Sequence, residues 1–82
     1  MQIEDYVTKL VRPQDTHEKG DVTVDALLDE GPRKVVIQLP RAAYEAALDA
    51  HKRKRKVVCS GRISKSGPRF TLEGPRDLHE VD

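Results

Sequence analysis

Apolar residues fall on every second position through two neighbouring stretches of the chain. Val22, Val24, Ala26 and Leu28 alternate with Thr23, Asp25 and Leu27, and Val35, Ile37 and Leu39 alternate with Lys34, Val36 and Gln38. A period of two is the mark of a strand with one buried face. The cluster Asp29-Glu30-Gly31-Pro32 between them is a short turn, so the two strands form a hairpin. Pro40 cannot donate to a sheet and ends the second of them, and a proline is well tolerated just ahead of a helix. From Arg41 to His51 the period changes. Ala43, Tyr44, Ala47, Leu48 and His51 recur at three- and four-residue spacing, which predicts an alanine-rich helix with one apolar stripe anchored by Tyr44 and Leu48.

Further strands are expected near Tyr6–Val11, Lys56–Ile63 and Arg69–Leu72. In the fourth strand Val57, Cys59, Gly61 and Ile63 share the inward face, with Gly61 placed for a bend or bulge. Ser66-Gly67-Pro68 turns the chain into the fifth. Gly-Pro-Arg occurs at residues 31–33, 67–69 and 74–76 and reads as turn punctuation, with no longer repeat behind it. Residues 74–82 are weakly patterned and read as a loosely ordered tail, although Leu78 and Val81 would let it lie along the body. Three strands, a helix and two strands predict an all-β class with one helix, a five-stranded OB-like barrel. A flatter α+β sheet with the helix on one face satisfies the same order. The two are separated by the partners of the first strand.

The chain's 82 residues suffice for one domain with a thin core, possibly excised from a longer protein. No apolar run reaches the roughly 18 residues of a membrane span, and the acidic start Met1-Gln2-Ile3-Glu4-Asp5 is unlike a secretory signal. A cytoplasmic location is the expectation, and the single cysteine agrees with a reducing compartment.

Charge is the feature that changes the picture. The net value of +1 hides a division. Residues 1–50 carry ten acidic and six basic side chains. Residues 51–72 carry eight basic ones (Lys52, Arg53, Lys54, Arg55, Lys56, Arg62, Lys65 and Arg69) and no acid. A positive segment of this kind suits an anionic partner. The run Lys52–Lys56 also suits the negative end of a helix dipole, so a solubilising helix end is the competing reading.

Catalytic and metal chemistry find little support. Cys59 falls on the inward face, where a free cysteine acts as a small hydrophobe, and no base is paired with it. Ser60 and Ser64 point the other way. His17, His51 and His79 are too scattered for a zinc site. Asp15, Glu18, Asp21, Asp25 and Asp29 lack calcium-loop spacing, and no glycine-rich phosphate loop precedes the helix. Neither cofactor nor metal is implied, and the chain reads as no enzyme.

Single-strand binders combine a basic groove with exposed aromatics. The core needs Tyr44 and Phe70, which leaves Tyr6 as the one stacking platform, so binding would rest mainly on phosphate contacts and be weak, salt-dependent and indifferent to sequence. The usual ligand face of an OB-fold is strands two and three with the 1–2 and 4–5 loops as rims. Here that means Thr23, Asp25, Arg33, Lys34, Val36 and Gln38, rimmed by Arg12–Gly20 and Ser64–Arg69.

Three segments carry a family likeness. They are Gly20-x-Val22-x-Val24-x-Ala26, Ala42-x-Tyr44-x-x-Ala47-x-x-Ala50-His51, and Val57-Val58-Cys59-Ser60-Gly61-Arg62-Ile63 followed by Phe70-x-Leu72. Over nearly its whole length the chain resembles small OB-fold-type domains of bacteria, often the C-terminal piece of longer, uncharacterised proteins. If the chain is an excised piece of that kind, the resemblance implies a role in holding or docking the rest of a larger protein. Two roles stay open, binding of single-stranded nucleic acid or another polyanion, and interaction with a protein partner.

Overall fold

A computed structural model describes residues 1–11 and 19–81. The elements run β1 (Gln2–Val11), β2 (Gly20–Leu28), β3 (Gly31–Leu39), α1 (Arg41–Lys52), β4 (Lys56–Ser66) and β5 (Arg69–Val81). The sheet closes into a barrel in the order β1-β2-β3-β5-β4. β1 pairs antiparallel with β2 on one side and with β4 on the other, and this double pairing excludes the flatter sheet. β3 and β5 pair in parallel, through Val35–Phe70, Val36–Thr71 and Ile37–Leu72.

The alternation read from the sequence sets the core. Val22, Val24, Ala26 and Leu28 of β2 and Val35, Ile37 and Leu39 of β3 are buried together with Ile3, Val7, Val57, Cys59, Phe70 and Leu72. Closure of the sheet removes open edges that would otherwise recruit other strands. No helix is long and apolar enough to cross a membrane among the described residues.

α1 begins directly after Pro40, whose carbonyl accepts the first helical hydrogen bond from Tyr44 N at 2.9 Å. Its buried residues are Tyr44, Ala47 and Ala50. The expected second anchor, Leu48, is only half-buried, and Ala50 takes its place. The packed stripe therefore lies on the small side chains, which let the helix approach the barrel end closely. At its other end the helix closes with a Schellman arrangement. Lys54 N–H bonds to His51 O at 3.1 Å and Arg55 N–H to Ala50 O at 2.9 Å. That geometry places Lys54 in the left-handed region, at φ 57°.

All five strands exceed their expected limits, β2 and β3 by two or three residues at their starts, where Gly20 and Gly31-Pro32-Arg33 join the ladder. β1 starts at Gln2 rather than Tyr6, β4 continues to Ser66, and β5 continues from Leu72 to Val81. The last difference corrects the reading of 74–82 as a loosely ordered tail, since residues 74–81 are strand. Their lack of a clean period has a physical cause. Gly74 (φ 60°) and Asp77 (φ 56°) bend the strand, and the β4–β5 register shifts twice, between Val58 and Ser60 and between Ser60 and Arg62. Gly61 lies in that interrupted stretch. A Cβ there would come within 2.7 Å of the Glu73 carbonyl oxygen and 2.8 Å of Leu72 Cγ, so only glycine lets β5 cross so close.

Candidate nucleic-acid interface

The outer face of the sheet carries a row of small, uncharged residues. Thr23 pairs with Val36, Val36 with Thr71, and Thr71 with Ser64; all four are half-buried, and the first three each lie between two buried residues of their own strand. Thr8 extends the row onto β1. There the register shifts between Val7 and Lys9, and the bulge turns both Thr8 and Lys9 outward. Cations stand around this row. Lys34 and Arg69 immediately precede the paired residues Val35 and Phe70, so the parallel ladder sets them side by side. A groove of about 470 Å³ lies over the row, lined by Thr8, Thr23 and Val36 and edged by Lys9, Lys34 and Arg69, with Pro68 at the rim. Asp25 lies 3.9 Å from Lys34 across the β2–β3 ladder. Both side chains are well exposed, so water screens the pair.

Of the residues expected on this face, Thr23, Lys34, Val36 and Arg69 meet in the groove. Arg33 turns back to bond the carbonyl of Pro32 at 2.8 Å, out at the β2–β3 turn. Lys65 sits beside Phe70, its Nζ 5.5 Å from the ring centroid. Arg12, Asp15, His17 and Glu18, part of the expected rim and of the acids and histidines weighed above, lie outside the described residues. The sequence reading missed Thr8 and Lys9. They reach the groove through a bulge, which has no sequence signal in Tyr6–Val11.

The run Lys52–Lys56 divides. Arg53 Nη1 lies 3.1 Å and Arg55 Nη1 3.7 Å from Glu80 Oε2, and Arg62 Nη2 lies 3.3 Å from Glu73 Oε1. The segment has no acid in sequence, yet β5 carries two alongside it. This corrects the charge arithmetic, because three of the eight cations have a carboxylate within ion-pair range. Lys54, and Arg55 as well, help to line a second, smaller cleft of about 240 Å³, together with Tyr6, Val7 and His51. Tyr6 is 47% exposed, and Lys56, its partner in the β1–β4 ladder, places Nζ 5.5 Å from the ring centroid. The aromatic platform thus stands beside the basic run, at the end of the barrel where α1 stops.

Cys59 is fully buried, and its thiol points at the carbonyls of Arg76 and Ser60, 3.6 and 3.7 Å away. Burial pushes the thiol pKa up from its ordinary 9.0, against the smaller opposing effect of those bonds. A thiol held protonated and out of reach is no nucleophile. Among the described residues no group of three or more His, Cys, Asp or Glu side chains converges as a metal site. No family model, curated protein or solved structure matches the chain.

Proposed function

We propose that this chain is a non-catalytic binding module that holds single-stranded nucleic acid weakly and without sequence preference. The observation that carries the reading is the groove over β1, β2 and β3, with Lys9, Lys34 and Arg69 around an uncharged floor of Thr8, Thr23 and Val36. Phosphates can meet the cations while sugars and bases rest on hydroxyls and a methyl surface, an arrangement that favours polyanions but cannot tell one base from another. The closed five-stranded order and the place of the groove, over β2 and β3, suit the usual ligand face of an OB-like barrel.

Fluorescence anisotropy of a labelled single-stranded oligonucleotide, titrated with the protein at low salt, tests the reading. Saturable binding that weakens with salt is expected, and replacement of Lys9 and Arg69 by Gln should weaken it at every salt concentration. No binding at high micromolar protein would sink it. A protein-interaction module would then be the better account, with Leu27 as its first contact, since that side chain stands 76% exposed at the β2–β3 turn.

A further inference from the structure

The cleft beside Tyr6 lies outside the groove just described, yet β1 joins them. Tyr6 and Thr8 both face outward on that strand, about 7 Å apart at a strand rise of about 3.3 Å per residue. A strand lying over Thr8 therefore reaches Tyr6 within one or two nucleotides. Four features of the cleft suit a base and its phosphate. Its wall is an exposed phenol ring. Lys56 flanks that ring, its Nζ 5.5 Å from the centroid. Lys54 projects from the helix end in a backbone conformation fixed by the Schellman bonds. The fourth is His51. Its Nδ1 lies 2.9 Å from the carbonyl oxygen of Val7, which can only accept, so Nδ1 carries the hydrogen and the ring is held at the cleft wall. Among the described residues no carboxylate lines the cleft.

We propose that this cleft is a second subsite, in which one base of the bound strand stacks on Tyr6 while an adjoining phosphate lies against Lys54. The proposal rests on the reading of the groove as a nucleic-acid site and extends it across β1 to the far end of the barrel. The chain's other two aromatic rings, Tyr44 and Phe70, are buried, so the stacking contribution belongs to one residue.

The test uses three labelled ligands at one salt concentration: single strands of roughly four and roughly twelve thymidines, lengths that bracket much of the usual site-size range, and an abasic strand of the longer length. Tyr6→Leu should weaken binding of the longer thymidine strand about fivefold or more, the loss typical of one base–aromatic contact, and leave the abasic strand unchanged. Lys54→Gln should weaken both long ligands. Arg69→Gln, in the groove, should weaken all three. If Arg69→Gln weakens the thymidine strands and Tyr6→Leu does not, the groove reading survives and the stacking subsite is refuted. Equal losses for the thymidine and abasic strands on Tyr6→Leu refute it too, because the ring would then be acting without a base. Failure of every ligand to bind the parent protein overturns both readings. Because Tyr6 is half-exposed, its replacement leaves the fold in place, and an unchanged thermal midpoint checks this.

Discussion

The ring of Tyr44 occupies the space that a side chain on Gly20 would need. A Cβ at position 20 would come within 2.7 Å of Cε2 and 2.9 Å of Cγ of that ring. The first residue of β2 thus seats the main aromatic anchor of α1. Gly20→Ala should cost about 1–3 kcal/mol, the range for forcing an extra methyl into a packed core. Urea unfolding would show it as a lower midpoint with an unchanged slope. A midpoint equal to the parent's would mean that the ring moves aside freely.

Gly61→Ala should be as harmful for a different reason, since the obstacle is partly backbone. The Glu73 carbonyl cannot rotate away as a ring can, so the β4–β5 ladder itself must shift. Amide hydrogen exchange would find the loss of protection concentrated from Ser60 to Arg62 and in the facing part of β5.

Lys54→Gly separates stability from binding. Glycine removes a left-handed penalty of about 1 kcal/mol at the helix end, and each kcal/mol moves the thermal midpoint of a domain this size by roughly 4–8 °C. The variant should melt higher and bind oligonucleotide less tightly. Tighter binding would show that the lysine contributes nothing to the cleft.

Glu80→Gln removes the carboxylate oxygen that lies 3.1 Å from Arg53 Nη1 and 3.7 Å from Arg55 Nη1. Polyanion affinity should rise severalfold at low salt, and the salt slope should steepen by up to about 0.7 for each additional phosphate contact. Stability should change by less than about 1 kcal/mol, because both arginines are solvent-exposed. Replacing Lys52, Arg53, Lys54 and Arg55 together by Gln should do the reverse to affinity and slope. If it changes neither, the run is only a solubilising helix end.

Cys59 sets an alkaline limit. Its pKa is raised in the folded protein, so the native state keeps a proton that the unfolded chain gives up. That contribution is complete below the free-thiol value of 9.0 and is lost as pH rises from there toward the folded value. Cys59→Ala should remove this share of the alkaline decline when unfolding is followed across that window. The native thiol should also react with a thiol reagent only as fast as the barrel opens.

The barrel was legible because its inner face is written in simple alternation. Val22 to Leu28 and Val35 to Leu39 keep their period without interruption, and Pro40 marks the change to helix. Leu48 misled because hydrophobicity alone ranks it above Ala50, whereas close approach to the barrel end favours the smaller residue. The second half of β5 was hidden by Gly74, Pro75 and Asp77, which read as turn chemistry but sit in a strand with two register shifts. The site was less legible than the fold. Lys9 enters the groove through a bulge, and Glu80 reaches Arg53 through a register that residues so far apart in sequence cannot announce.

The pairing of β1 with β4 also governs how quickly the molecule can form. Gln2 must find Ser60, and Tyr6 must find Lys56, before the sheet can close on itself. The β2–β3 hairpin needs only a two-residue turn and can form on the microsecond scale, while contacts this distant place barrels among proteins that fold in milliseconds to seconds. Until then β1 and β4 each present an unsatisfied edge, the very surface that closure later hides. Refolding yield should therefore fall with protein concentration, although the finished sheet is closed into a barrel.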